Sequence, residues 1–275
     1  MGRRLFCEIN PLTYRISVCK EQIKRYIKWW FGGQIYAREK SHSKLPILIY
    51  EHNSLIRRKL GNVDQRLQEN KATNLMLTTP KVDSILIRPG ETFSFWKLVG
   101  KCTKSKGYLE GLTINNSGTS SGVGGGMCQF TNLIHWMILH SDLTIVEHHH
   151  HNEFDLFPDY NRALPFGTGT SIVYNYLDYQ FKNNTNNTYQ IITYTTDTHL
   201  CGELRSLYDQ QYSYHIVEKD AYFSIEDNNY YRNNEVFRRI INKIDGNIIE
   251  ERLLIKNHSK VMYDSKYIDR ELIKR

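Results

Sequence analysis

The residue types able to do covalent chemistry gather around one glycine-rich run. The segment GVGGGMCQFTN, Gly122 to Asn132, carries Gly124, Gly125 and Gly126 in series and then Cys128 and Gln129. Consecutive glycines remove Cβ atoms where a chain turns with positive φ or approaches something closely. Phe130, Leu133, Ile134, Met137 and Ile138 follow at helical spacing, which predicts a helix from about Cys128 to His140. A thiol at a helix N-terminus lies beside unpaired N–H groups and the positive end of the dipole, and both favour thiolate. The same N–H groups could hold a developing oxyanion.

A thiol nucleophile needs a base, and His148, His149, His150 and His151 supply four on what reads as the next strand, Leu143 to His151. On a strand, His149 and His151 face one way and His148 and His150 the other. Glu147, just before them, is placed either to orient an imidazole or to form a simple salt bridge. Cysteine at a helix start followed by histidine on the next strand is also the order of papain-like and transglutaminase-like enzymes, an analogy of order alone.

Two other uses of these residues stay open. Cys128, His149 and His151 could offer a metal three ligands of suitable softness, although no HxxxH or CxxC pair is present. His135 lies seven residues after Cys128, about 10 Å along a helix, too far to share an ion with it. Alternatively, the cysteine is simply core and the glycines serve close packing. Cys102, among Lys101, Lys104 and Lys106, would have a lowered pKa if exposed and is otherwise a loop cysteine.

The elements that must position these groups can be read on either side. From Tyr14 to Phe31, Ile16, Cys19, Ile23, Tyr26, Ile27 and Trp30 recur at helical spacing among Lys20, Lys24, Arg25 and Lys28, an amphipathic basic helix ended by Gly32-Gly33. Such a helix either packs its apolar face on the domain or attaches to an anionic membrane surface. A second helix is expected from about Leu60 to Leu77, with Val63, Leu67, Asn70, Asn74 and Leu77 on one face. VDSILI then reads as extended, Arg88-Pro89-Gly90 as a turn, and ETFSFWKLVG as strand or tight loop. Further on, TSIVYNYLDYQF and YQIITYTT read as extended, and Asp245-Gly246 between apolar runs signals a hairpin.

With 275 residues and 40% apolar content, the chain can form one large domain or a domain with an appended subdomain. The first sixty residues hold 13 Lys and Arg against 4 Asp and Glu, leaving 23 against 25 in the remainder, so attraction to an anionic partner belongs to the N-terminal end. No run of eighteen apolar residues exists, and charges interrupt the N-terminus where a secretory signal would be apolar, so a cytoplasmic location is expected. Five cysteines, Cys7, Cys19, Cys102, Cys128 and Cys201, at irregular spacings imply reduced thiols rather than a disulfide framework.

RPGETFSFWKLVG, Gly107-Tyr108, GGGMCQFTN, VEHHHH and LPFGTGTSIVYNYLDYQFKNNT, in that order from about Asn70 to Thr185, resemble the VanW family. The combination of GGG-x-CQ with PGE-x-FSF is specific. The resemblance implies proximity to cell-envelope or peptidoglycan metabolism and to glycopeptide resistance, and it implies no reaction. It places the family's recurrent positions at Pro89, Gly90, Glu91, Phe93, Ser94 and Phe95, at Gly100, Gly107 and Tyr108, and at Gly124 to Gly126, Cys128, Gln129, Glu147 and His151. Two departures matter. His148 stands where the family has arginine in Glu-Arg-x-x-His, and Gly169 stands where it has aspartate in Gly-x-Asp-Ala. If that aspartate completes a Cys-His-Asp arrangement elsewhere in the family, this chain lacks the third group.

The expected fold is α+β: N-terminal helices, a central helix preceded by a Gly-rich loop, and an antiparallel sheet in the C-terminal half. Residues 1–69 form a basic helical segment, 70–200 the VanW-like domain and 201–275 a β-rich extension packed on that domain. The leading functional expectation is Cys128 as nucleophile, His151 as base and Glu147 or Gln129 in support, in acyl transfer or amide hydrolysis on a peptidoglycan-related substrate. The alternative is a non-catalytic module in which Gly124 to Gly126 and the aromatic residues Phe93, Phe95, Trp96 and Tyr108 bind a cell-wall precursor or a protein partner. Neither a cofactor nor a nucleic-acid partner is expected, and the basic helix offers weak peripheral membrane contact.

Overall fold

Helix α1 (Pro11–Phe31) begins where the Asn10 side chain accepts the Thr13 N–H at 2.9 Å, with Pro11 at a position that needs no donor. The structure, a computed structural model, describes residues 5–58, 64–115, 118–150, 153–158 and 164–274. No residue of α1 is buried, so its apolar face does not pack on the domain. Strand β1 (Ile47–Leu55), which the sequence pattern did not signal, follows.

Helix α2 (Gln65–Val82) runs five residues past the expected end at Leu77, through Pro80. Pro80 cannot donate to the Met76 carbonyl; the Thr79 hydroxyl does so instead at 3.2 Å, which lets the helix continue. Strands β2 (Ile85–Ile87) and β3 (Thr92–Ser94) lead into a short helix, α3 (Phe95–Val99), whose Lys97 N–H is capped by the Ser94 hydroxyl. The hairpin β4 (Glu110–Asn115) and β5 (Gly118–Val123) delivers the glycine turn to helix α4 (Met127–Leu139).

After α4 come β6 (Thr144–Glu147), β7 (Phe154–Asp155), β8 (Gln180–Lys182), β9 (Tyr189–Thr195) and β10 (His199–Ser206). Three long strands follow, β11 (Tyr212–Glu226), β12 (Asn229–Asn242) and β13 (Ile248–Val261). The expected Asp245-Gly246 turn joins the last two, with Gly246 at φ 73°. The architecture is the α+β mixture expected, with helices early and antiparallel strands gathered late.

One sheet has the order β1-β10-β9-β2, a second β11-β12-β13-β7, and a third β3-β8-β6. The register Ile47–Ser206 to Leu55–His199 builds β1 into the first sheet, so part of the N-terminal 69 residues belongs to the central body. The expected boundary between 200 and 201 falls inside β10. Helix α4 lies on this sheet, and Gly202 makes the approach close: a Cβ there would stand 2.7 Å from the Leu133 side chain.

Two expected strands are not strands throughout. The run Leu143 to His151 pairs only as far as Glu147, and His148 to His150 continue as loop. The run Thr170 to Phe181 joins a sheet only at Gln180. Earlier it closes a tight loop between Val173 and Leu177, with Asn175 at φ 52°. Its alternation of residue types reflects packing between α4 and α1 rather than a ladder.

Candidate functional site

The glycine turn is a packing device in three directions. Gly124 (φ 80°) lies on Cys102, Gly126 (φ 107°) lies on the aliphatic stem of Lys71, and a Cβ on Gly125 would sit 2.3 Å from the Gly111 carbonyl carbon. Asn74 on α2 locks the turn: its amide donates to the Gly125 carbonyl at 2.9 Å and to the Leu109 carbonyl at 3.0 Å, while its oxygen accepts the Leu109 N–H. Gly124 and Gly125 are buried as a result.

Cys128 is the second residue of α4 and half-buried. Burial pushes its thiol pKa up, and the N–H groups of Ile172 and of Cys128 itself offset this only in part. The thiolate expected from the helix N-terminus is therefore not favoured: desolvation outweighs the N–H groups that would hold it. The turn-and-a-half after Cys128 is covered by the segment around Thr170. Asn132 accepts the Thr170 N–H at 2.6 Å and its hydroxyl at 2.8 Å, and the same hydroxyl reaches the Cys128 carbonyl at 3.4 Å.

The histidines collect farther along α4. His135, fully interior, stacks on His148 with ring centroids 4.2 Å apart, and His148 stacks in turn on His150 at 5.5 Å. His135 Nδ1 pairs with the Tyr179 hydroxyl at 3.1 Å, and His148 Nε2 with the Gly169 carbonyl at 3.1 Å. Burial depresses both imidazoles, His135 well below its ordinary value and His148 to about 4, so both are neutral near pH 7. His149 pairs instead with Glu147 at 3.1 Å. Among the described residues no imidazole nitrogen is hydrogen-bonded to Cys128. The expected base His151 lies outside the described residues. Among the described residues no group of His, Cys, Asp and Glu could hold a metal ion.

Glu147 both orients an imidazole and forms an ion pair. Burial alone would raise its pKa, but two Arg25 nitrogens at 2.5 Å, the Asp178 N–H at 2.9 Å and His149 bring it below the ordinary value. Asp178 beside it is fully buried, and burial raises its pKa. It accepts from the Ser94 hydroxyl at 2.5 Å, the Trp96 and Tyr179 N–H groups and the Gln180 amide. This carboxylate ties α3 to β8 rather than facing Cys128.

The remaining expected site residues sit elsewhere. Gln129 turns from the thiol to β1, donating to the Ser54 hydroxyl at 2.9 Å and the Leu55 carbonyl at 2.8 Å. Phe93 and Phe95 are in the core, Phe93 stacked on Phe181 at 4.7 Å, and Tyr108 is buried against Thr78. The short β3-α3 segment points Phe93 and Phe95 inward, and Tyr108, beyond it, is likewise buried.

Two further residues, not among the expected site residues, join the site. Arg25 of α1 brings Glu147 its counter-charge. Lys71 of α2 is buried beside Gly126, where burial and then the charges of Arg58 and Arg57 lower its pKa to about 7. Its position four residues after Leu67 and three before Asn74, within the inward stripe of α2, was the available signal.

The family model described as VanW like protein matches residues 70–205. The chain is 32% identical to the Vancomycin B-type resistance protein VanW of Enterococcus faecalis over 263 residues, which cover 96% of this chain and 95% of that protein. It is also 29% identical to the uncharacterized protein YoaR of Bacillus subtilis over 121 residues, 43% of this chain and 37% of that one. No solved structure matches the chain. The match with the enterococcal protein runs nearly end to end, and the chain belongs to the VanW family.

Proposed function

We propose that this chain serves the cell-envelope process for which its enterococcal relative is named, vancomycin B-type resistance, as a non-catalytic module. It binds a peptidoglycan-related small molecule from the cytoplasmic side at the surface around Gly126 and Cys128. The observation that carries this reading is the state of Cys128: a desolvated, protonated thiol with no described imidazole bonded to it. Lys71 and Arg58 place basic groups beside the turn, Arg57 being paired with Glu69 at 2.7 Å, and suit an anionic group such as a stem-peptide carboxylate.

Site-resolved alkylation across pH tests it, together with binding of a synthetic peptidoglycan stem peptide. Cys128 is expected to label slowly, with an apparent pKa above that of an ordinary thiol, and Cys128→Ser to keep both peptide binding and any resistance phenotype. Rapid labelling at neutral pH with loss of phenotype in Cys128→Ser overturns the reading.

That second result would favour acyl transfer or amide hydrolysis, with Cys128 as nucleophile and His151 as base. One specific observation speaks for it: Lys71, with a pKa of about 7 beside Gly126, is a titratable amine poised near neutrality at the start of α4. In this reading the thiol proton passes to the base, Sγ attacks the acyl carbon, and the departing amine takes the proton as the C–N bond breaks. Water or an acceptor amine then gives a proton to the base and takes the acyl group from Sγ, which regains its proton.

A further inference from the structure

Helix α1 turns its apolar stripe away from the protein. Leu12, Ile16, Ile23, Ile27 and Trp30 fall three to seven residues apart on one face, and all are exposed, Leu12 by 66%, Ile23 by 53% and Trp30 by 77%. At 100° per residue these five side chains span roughly 60° of the helix circumference, a continuous ridge. Phe6 and Ile9 before the helix and Phe31 and Ile35 after it are exposed as well.

The opposite face fixes this orientation. Gln22 donates to the Tyr174 carbonyl at 3.2 Å, the Tyr26 and Tyr174 hydroxyls meet at 2.8 Å, Arg25 grips Glu147, and Trp29 packs against the core. Rotating the ridge inward would strand Glu147 in a largely buried place without its counter-charge. The ridge is thus held outward by an ion pair with each side chain no more than 13% exposed.

Charge flanks the ridge in the sense an anionic surface requires. Lys20, Lys24 and Lys28, four residues apart, form an exposed row along one side, and Arg15 lies on the other. Glu21, the helix's one acid, is held by Lys24 at 2.7 Å and Lys20 at 3.9 Å. Lysine stems can lie along apolar surface while their ammonium groups reach phosphates. The helix is not a span: no helix among the described residues is long and apolar enough to cross a membrane. A large outward apolar face beside a lysine row is the pattern of a helix lying in the interfacial plane.

We propose that the outward face of α1 docks this protein on an anionic lipid surface, with the Leu12-to-Trp30 ridge entering the headgroup–acyl boundary and the row Lys20, Lys24, Lys28 meeting lipid phosphates. The Arg25–Glu147 pair then holds the histidine loop at a fixed position relative to the membrane.

The test is co-sedimentation of the full chain with vesicles of phosphatidylcholine alone and of phosphatidylcholine and phosphatidylglycerol in equal parts, with sedimentation equilibrium run in parallel. Binding is expected on the anionic vesicles, weakening as salt is raised. The double variant Ile23→Gln/Ile27→Gln should lose about tenfold or more in partitioning with an unchanged melting temperature, because both side chains are already exposed. Lys20→Glu/Lys24→Glu should weaken binding to anionic vesicles and leave binding to neutral ones as it was. Equal partitioning to both vesicle types, or indifference to the Ile23/Ile27 changes, overturns the proposal. So does a concentration-dependent dimer that those changes dissolve while vesicle binding is absent, which would make the ridge an interface between copies of the chain.

Discussion

His148 Nε2 lies 3.1 Å from the carbonyl oxygen of Gly169, so the two positions at which the resemblance implies a departure from the family pattern lie side by side. The family resemblance puts arginine at the first and aspartate at the second. Their proximity makes the two positions candidates for energetic coupling. Gly169 has an ordinary φ, and a Cβ there would be 3.7 Å from the Asn132 side chain, so a larger residue fits.

A double-mutant cycle checks the linkage. Gly169→Asp alone should destabilise, because it sets a carboxylate beside the Asn132 oxygen that already accepts from Thr170. His148→Arg alone should destabilise by leaving a part-buried guanidinium unpaired. Together they are expected to recover about 1–3 kcal/mol relative to the sum, measured by urea unfolding. Strict additivity would show that the positions do not interact.

Arg25→Ala is expected to cost about 3 kcal/mol, since it leaves Glu147 charged and largely buried. The conservative Arg25→Lys should recover part of this, short of the full amount because it cannot grip both carboxylate oxygens. Chemical denaturation gives the cost, and amide exchange in α1 shows whether the helix loosens before the rest unfolds.

Acid should weaken the fold in a defined window. His148, with a pKa near 4 when folded, and His135, lower still than its ordinary 6.5, bind protons more readily in the unfolded chain. Stability is therefore fully present above about pH 6.5 and falls as pH is lowered, with the His148 share spent by about pH 4. That share is on the order of 3 kcal/mol. Unfolding free energies at a series of pH values should slope downward through this range, and His148→Phe, which keeps a stacking ring, should make the slope shallower while His140, also lowered to about 4 by burial, keeps its share. An unchanged slope would move the acid sensitivity to other groups.

Gly125→Ala should be among the most damaging single changes, costing about 3 kcal/mol or more, because its Cβ would collide with the Gly111 backbone rather than a side chain that can move. Gly246→Ala, also at positive φ but with open space around it, should cost about 1 kcal/mol. Thermal melts of the two variants separate the steric part from the backbone part.

The glycine turn, α4, β9 and the Asp245-Gly246 hairpin were legible because each rests on local signals, namely spacing at 3.6 or 2 residues and turn chemistry. The end of α2 was not, since the hydroxyl that replaces the bond lost at Pro80 belongs to Thr79, a residue that reads as a helix weakener. β1 gave little pattern because its neighbour in the sheet, β10, lies about 150 residues later in the chain.

The sequence by itself determined the family, the α+β class, the delivery of Cys128 to a helix start and the amphipathic character of α1, all of which follow from residue order and periodicity. Only the tertiary structure decided which way each group faces. It turned the apolar stripe of α1 outward because Arg25 had to reach Glu147, and it buried Phe93, Phe95 and Tyr108. It also raised the thiol of Cys128, because desolvation on burial exceeds the pull of the N–H groups of Ile172 and Cys128. Burial and facing depend on contacts between distant parts of the chain, which no local spacing encodes.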